Sequence, residues 1–242
     1  MQSFRVIINS LDSIIGRLPA KLYLGHSSPS FGIDDEALEQ HIKLVNKYFK
    51  EASNAHGLER SVDRLINALV YNVLETTDER TRIGNAIKTR FVAAIAFHDL
   101  GKVNPNYQFG KLKNSKFEGK EIGELPFFPL TGHSELGAML FMHYFLKDAL
   151  REKNQGVKQL LLAATLAFSY PITQHHAKGI FDLTEYGCKK LIHWFKEKAW
   201  RQVLPFSEVY GMLEDTVPEH VLKHVAEQFP KSLKNASSIP PF

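Results

Sequence analysis

Residues 91–102 read FVAAIAFHDLGK, an apolar run that ends in histidine, aspartate, leucine, glycine and lysine. The run predicts a helix that is buried on most of its sides, and Gly101 is typical of a helix end. His98 and Asp99 therefore lie at the end of a buried helix. Because an unpaired buried carboxylate costs several kcal/mol, a metal ion or another cation is expected near Asp99. The alternative is that Asp99 only caps a helix or forms an ion pair, and that His98 is an ordinary core histidine.

Helical periodicity of apolar residues dominates the chain, and no convincing run of alternating strand residues is present. Helices are predicted over 34–49, 58–74, 87–100, 134–150, 157–173, 183–200 and 217–229. Residues 101–131 have the composition of a long loop, which inside a compact domain is usually functional or mobile. The predicted fold class is all-α, with one domain over residues 1–230 and a polar tail, or the start of a linker, over 231–242.

Composition sets the protein class. The chain has 242 residues, of which 44% are hydrophobic and 23% charged, so it can bury a sizeable core. Its formal net charge of +4 is compatible with a phosphate-bearing partner but does not require one. The single cysteine, Cys188, excludes an intrachain disulfide framework and a cysteine-rich zinc module. With neither a signal-peptide pattern nor an apolar run of about 20 residues, we expect a cytoplasmic protein without a membrane partner.

Histidines recur at the ends or on the buried faces of apolar helices. His41 lies on the apolar stripe of its helix, His133 precedes another helix, and His175 and His176 end a third. Each has an ordinary alternative: a structural core histidine, an exposed ring near a helix cap, and a chance pair. A helical bundle can nevertheless bring such side chains together in its interior as a metal centre.

In such a centre Asp99 would be the natural bridging carboxylate between two ions. Pairs of divalent ions about 3.5–4 Å apart are a recurrent device for hydrolysing phosphate esters. Lys102 follows closely enough to neutralise the same phosphate, unless it is simply a solvated lysine after a helix end.

The order of these motifs resembles the HD superfamily of metal-dependent phosphohydrolases, over roughly residues 20–180. It is most similar to the HD nuclease domain of the CRISPR-associated helicase–nuclease of type I interference systems. The matching motifs are His41, His98-Asp99-Leu100-Gly101-Lys102, Gly132-His133-Ser134 and His175-His176.

The resemblance implies a helical HD-domain bundle with a metal centre in its interior. The implied metal ligands are His41, His98, Asp99, His133, His175 and His176. Asp99 and Lys102 would be catalytic, and Lys102, Ser134 and His26 would bind substrate. The family commonly has a further aspartate ligand well after the double histidine. Here only Asp182 and Asp215 follow His176, and neither lies in a matching context.

The implied activity is metal-dependent cleavage of single-stranded DNA with one or two divalent ions, drawn from Mn, Ni, Co, Mg, Fe or Zn. The implied partners are a helicase module, in the same chain or another, and an RNA-guided CRISPR effector complex. Basic and aromatic residues of the predicted loop suit phosphate contacts and base stacking, although a solvated insertion has the same composition. They are Lys111, Lys113, Lys116, Lys120, Tyr107, Phe109 and Phe117.

Three other functions remain open, two of them enzymatic. The double histidine also occurs in HD-type cyclic-dinucleotide phosphodiesterases, but the Gly-Tyr-Pro motif of that group does not follow His176. HD-type nucleotide phosphohydrolases usually hold one metal and need no double histidine. The alternative from another class is a catalytically inactive adaptor that binds nucleic acid.

Overall fold

The computed structural model describes residues 1–18, 22–26, 35–119 and 133–176. These residues are mostly helical, in agreement with the predicted all-α class. The α-helices are α1 (Phe4–Ile15), α2 (Leu38–His56), α3 (Leu58–Val73), α4 (Thr77–Phe97), α5 (Pro105–Gly110), α6 (Ser134–Arg151) and α7 (Gln155–Gln174). Two 3-10 helices cover Leu100–Val103 and Ser115–Phe117, and the strands are β1 (Leu24–His26) and β2 (Glu36–Ala37).

The core lies where α4 packs against α6 and α7. The second half of α4 is buried, as its apolar sequence predicts, and α6 is buried along most of its length. Phe97 contacts Phe141 and Phe145, with ring centroids 5.7 and 6.3 Å apart. This packing fixes the end of α4, where His98 and Asp99 follow.

The boundaries of α4 differ from the prediction of a helix over 87–100. The helix begins ten residues earlier, because the Thr76 hydroxyl accepts a hydrogen bond from Glu79 N at 3.2 Å and caps it. It ends at Phe97, before Gly101, and the chain continues as the 3-10 helix Leu100–Val103. The tighter turn keeps Asp99 and Lys102 on one side of the chain.

An antiparallel pair of short strands was not expected from the sequence. β1 pairs with β2, and α2 starts at Leu38, after the strand, instead of at Asp34 or Asp35. Pairing holds Glu36 and Ala37 extended, which delays the start of the helix. α1 was also not predicted, although it is amphipathic and buries one face.

The predicted loop over 101–131 contains short helices in its described part, residues 101–119, which the sequence did not predict. Asn104 caps α5 by accepting from Asn106 N at 2.9 Å, and Pro105 suits the first turn of that helix. The Gln108 amide exchanges two hydrogen bonds of 2.9 Å with the backbone of Leu24 in β1. Local periodicity cannot reveal elements held by such long-range side-chain contacts.

The predictions for α3, α6 and α7 agree with the structure to within about two residues. The predicted helices over 183–200 and 217–229 and the tail over 231–242 lie outside the described residues, so the single domain over 1–230 stays a prediction. None of the described helices is long and apolar enough to cross a membrane.

Candidate metal centre

Five histidines surround the carboxylate of Asp99, the residue that connects the end of α4 to the following 3-10 helix. They come from α2, the end of α4, the start of α6 and the end of α7. These are His41, His98, His133, His175 and His176. The structure therefore brings together all six side chains that the sequence predicts as metal ligands.

One half of the cluster faces Asp99 Oδ2. His41 Nε2 lies 2.9 Å from this oxygen and His98 Nε2 lies 3.2 Å from it. The ammonium of Lys102 donates to the same oxygen at 3.0 Å and to Gly25 O at 2.9 Å. We call these two imidazoles with Oδ2 the lysine half.

The other half faces Asp99 Oδ1. His133 Nε2 lies 3.2 Å from this oxygen and His175 Nε2 lies 3.5 Å from it. His176 Nε2 lies 2.9 Å from His133 Nε2, so that three imidazole nitrogens converge. We call these three imidazoles with Oδ1 the three-histidine half.

Hydrogen bonds to Nδ1 fix the tautomers of several rings. The carbonyl oxygens of Ile95 and Ile172, each three residues earlier, lie 2.6 Å from Nδ1 of His98 and His175. A carbonyl oxygen only accepts, so each Nδ1 carries the proton. In the neutral ring the lone pair on Nε2 then points towards Asp99. Such orientation of metal-binding imidazoles by partners at their second nitrogen is common in proteins.

His41 has the same arrangement with a side chain instead of a carbonyl. Glu36 Oε2 lies 2.8 Å from His41 Nδ1, which must donate because the carboxylate accepts. The hydrogen bond to Asp99, aided by Glu36 and opposed by burial, raises the pKa of His41. Glu36 thus contacts one ring nitrogen of His41 and leaves the other for Asp99, as in carboxylate–histidine–metal triads.

The electrostatics of the centre favour a bound cation. Burial alone would raise the pKa of Asp99, but the imidazoles of His133, His175, His41 and His98 outweigh burial and hold that pKa far below its usual range. The aspartate is only 5% exposed and its Oδ1 has no hydrogen-bond partner among the described residues. Burial lowers the pKa of His133, which favours the neutral, metal-binding form of that ring.

The chemistry of these donors fits a divalent transition metal. Neutral imidazole nitrogens and a carboxylate oxygen all offer lone pairs, and this mixture of ligands suits divalent transition metals. In the described residues the ligand atoms of each half lie within 4.8 Å of one another. The buried cluster could therefore hold a metal ion.

The other predicted site residues lie near the centre, but they differ in burial and in how closely they approach its side chains. Lys102 is buried and turned towards Asp99. Ser134 is the half-buried first residue of α6, directly after His133. His26 is exposed at the end of β1, with its ring centroid 6.0 Å from that of His41. The late aspartates Asp182 and Asp215 lie outside the described residues.

Two neighbours of the centre were missed or misplaced by sequence reasoning. Glu36 was not considered, and its only sequence signal is an acidic residue five positions before His41. Tyr107 was assigned to a DNA-binding loop, but in α5 its ring lies 4.4 Å from the ring of His133. Burial, with a smaller contribution from the charge of Asp99, raises the pKa of Tyr107.

The base-stacking assignment fails for another aromatic residue of that segment. Phe117 is 3% exposed and packs against Tyr23, with ring centroids 5.4 Å apart. The basic residues Lys111, Lys113 and Lys116 are exposed, whereas Lys120 lies outside the described residues.

Comparison of this chain with protein-family models, curated proteins and solved structures finds no match.

Proposed function

We propose that this chain is a metal-dependent nuclease of the HD type that hydrolyses phosphodiester bonds in single-stranded DNA. The observation that carries the proposal is the division of the Asp99 carboxylate, whose two oxygens face two separate sets of imidazoles. A carboxylate placed in this way suits a bridge between two metal ions, and paired ions commonly hydrolyse phosphate esters. One or two divalent ions therefore fit the centre.

The residues of the chain have separable tasks in this proposal. His41, His98, His133, His175 and His176 would hold the metal, and the carboxylate of Asp99 would connect the two halves. When bound, a divalent ion would supply Lewis-acid chemistry, which activates water and stabilises negative charge on the phosphate. Lys102 adds a fixed positive charge beside Asp99 and so favours an anionic substrate.

The choice of DNA as the substrate rests on the resemblance to the HD nucleases and on local charge. The residues that follow α5 include exposed Lys111, Lys113 and Lys116, which suit contacts with a phosphate backbone. Ser134 and His26, near His133 and His41 respectively, are the proposed substrate contacts at the rim. A helicase module and an RNA-guided CRISPR complex in the cytoplasm are the proposed partners.

The test is cleavage of labelled single- and double-stranded DNA by purified protein with Mn²⁺, Ni²⁺, Co²⁺ or Mg²⁺. Parallel reactions contain a cyclic dinucleotide, a nucleoside triphosphate or RNA. We expect metal-dependent loss of single-stranded DNA, and no loss with Asp99→Asn. Hydrolysis of only the small nucleotides would instead identify an HD-type phosphohydrolase. DNA binding without turnover in every metal would identify an inactive adaptor.

A further inference from the structure

We propose that the two halves of the centre bind metal with unequal strength, and that Lys102 causes part of this difference by weakening the lysine half. The inference rests on the proposed function, since it assumes that the centre binds divalent ions. It assigns to Lys102 a control of metal occupancy, in addition to the proposed contact with substrate.

The halves differ in the number of donors. The three-histidine half offers His133, His175 and His176 together with Asp99 Oδ1. The lysine half offers only His41 and His98 with Oδ2. Nε2 of His133 and of His175 lies 3.2 and 3.5 Å from Oδ1, but this oxygen accepts no hydrogen bond among the described residues. A cation there would therefore satisfy a buried atom without breaking a hydrogen bond.

Oδ2, in contrast, already has a cation beside it. The Lys102 ammonium lies 3.0 Å from Oδ2, and a metal ion bound to that oxygen would be a close neighbour of the ammonium. Repulsion between the two positive charges is strong because both would lie in a poorly solvated site. The ammonium also draws electron density from Oδ2 by hydrogen bonding and makes this oxygen a weaker ligand.

The position of Lys102 is fixed from two sides. The residue is 7% exposed, and its ammonium donates to Gly25 O in β1 as well as to Asp99. Moving the ammonium away from an incoming ion would break this second hydrogen bond in a buried place, which is costly. Lys102 thus cannot move away from the ion without loss, and the lysine half fills second.

The first test is made on the wild-type protein. Metal-free protein is titrated with Zn²⁺ while the imidazole resonances are followed by NMR, with single His→Ala variants used for assignment. At one equivalent we expect changes at His175 and His176 to be near completion while those at His41 and His98 remain small. Simultaneous changes at all four rings, or earlier changes at His41 and His98, would overturn the inference.

The second test isolates the charge of Lys102. Zn²⁺ binding is measured by calorimetry for wild type, for Lys102→Met, which removes the ammonium but keeps most of the length of the side chain, and for Lys47→Met as a control. Lys47 is exposed on α2 and gives the same change in net charge. We expect two steps in wild type, with the weaker step about tenfold tighter in Lys102→Met and unchanged in Lys47→Met. An unchanged or weakened second step in Lys102→Met would overturn the inference.

The outcomes separate this inference from the proposed function. Two unequal Zn²⁺ steps that respond to Lys102→Met, in a protein that cleaves no DNA, would support the inference and contradict the nuclease. DNA cleavage together with two steps that ignore Lys102→Met would contradict the inference alone. A protein that binds no Zn²⁺ would overturn the inference, whereas the cleavage assay with the other metals decides the nuclease.

Discussion

Gly101 lies so close to the backbone of His133 that a Cβ added to Gly101 would come within 1.8 Å of the His133 carbonyl oxygen. The same carbonyl accepts a hydrogen bond of 2.8 Å from Gly137 N in α6. A second close approach joins these segments, since a Cβ on Gly137 would lie 2.7 Å from Phe97 O. Paired glycines thus allow the end of α4 and the start of α6 to touch, which brings His133 to Asp99.

Gly101→Ala should therefore disturb the centre as well as the fold. The new methyl group meets backbone atoms, which cannot rotate away as a side chain could, so we expect a loss of about 3 kcal/mol in the free energy of unfolding. Metal binding should weaken because His133 is displaced. Urea unfolding and calorimetric metal titration measure the two effects.

The matched control is Gly156→Ala in the first turn of α7. A Cβ there meets only the Asn154 side chain at 3.4 Å, an ordinary contact, so stability should change by less than about 1 kcal/mol. If Gly101→Ala were as stable as this control and bound metal normally, the close packing of Gly101 on His133 would not matter to the centre.

Asp99→Asn tests the bridging carboxylate. The amide keeps the size of the side chain but loses its charge, so the two sets of imidazoles lose their shared anionic ligand. We expect no detectable DNA cleavage and the loss of at least one bound ion, with the helical circular dichroism retained. Asp78→Asn, an exposed acid in the first turn of α4, is the control and should remain active. Full activity of Asp99→Asn would refute the metal centre.

The meeting of the six predicted ligands could be foreseen because each lies at an end or on the buried face of an apolar helix. Polar side chains that follow a buried helical segment tend to be buried with it, and buried polar groups must find partners. The position of His98 after the apolar half of α4 is the clearest case.

The parts that could not be foreseen are held by contacts between distant residues. β1 is too short to show a strand pattern, and it is fixed by Gln108 in α5 and by pairing with β2. The contact of Glu36 with His41 exists only because this pairing keeps Glu36 extended before α2. The orientation of Lys102 likewise depends on Gly25 O in β1. Sequence periodicity reports neighbours on one element and carries no information on such pairings.

Substitution of Glu36 tests its hold on the His41 ring. Glu36→Ala removes the acceptor for Nδ1–H, so His41 can rotate or change tautomer. We expect the affinity of the lysine half for metal to fall about 10- to 100-fold. Glu36→Gln keeps an acceptor oxygen and should retain most of the affinity. Calorimetric titration with Zn²⁺ measures both variants.

The control for Glu36 is Glu39→Gln, because Glu39 pairs with Lys43 on the surface of α2 and does not contact His41. It should bind metal as wild type does. Equal affinities of wild type and Glu36→Ala would show that the tautomer of His41 is fixed without Glu36.

His176→Ala should weaken metal binding in the three-histidine half, whereas Glu36→Ala weakens it in the lysine half. His176 is the exposed member of the three-histidine half, so its removal should leave the packing of the core intact. We expect the three-histidine half to lose its ion on desalting. The affinity of the lysine half for metal should stay as in wild type. Elemental analysis of desalted protein gives the metal content, with His56→Ala, at the exposed end of α2, as the control. Metal content equal to wild type would exclude His176 as a ligand.

Arg90 offers a test of the fold without a change to the centre. It is 1% exposed in α4 and donates to Phe145 O at 2.9 Å, to Thr165 Oγ1 at 2.8 Å and to Ala86 O at 3.0 Å, so it joins α4 to both α6 and α7. Arg90→Met fills the space but leaves buried acceptors without their donor, so we expect a loss of about 3 kcal/mol in the free energy of unfolding, measured with urea.

The control is Arg82→Met, which breaks only a surface ion pair with Glu152 and should cost less than about 1 kcal/mol. Metal bound per folded molecule should not change in either variant. An Arg90→Met protein as stable as Arg82→Met would show that packing of the apolar faces alone holds α4 between α6 and α7.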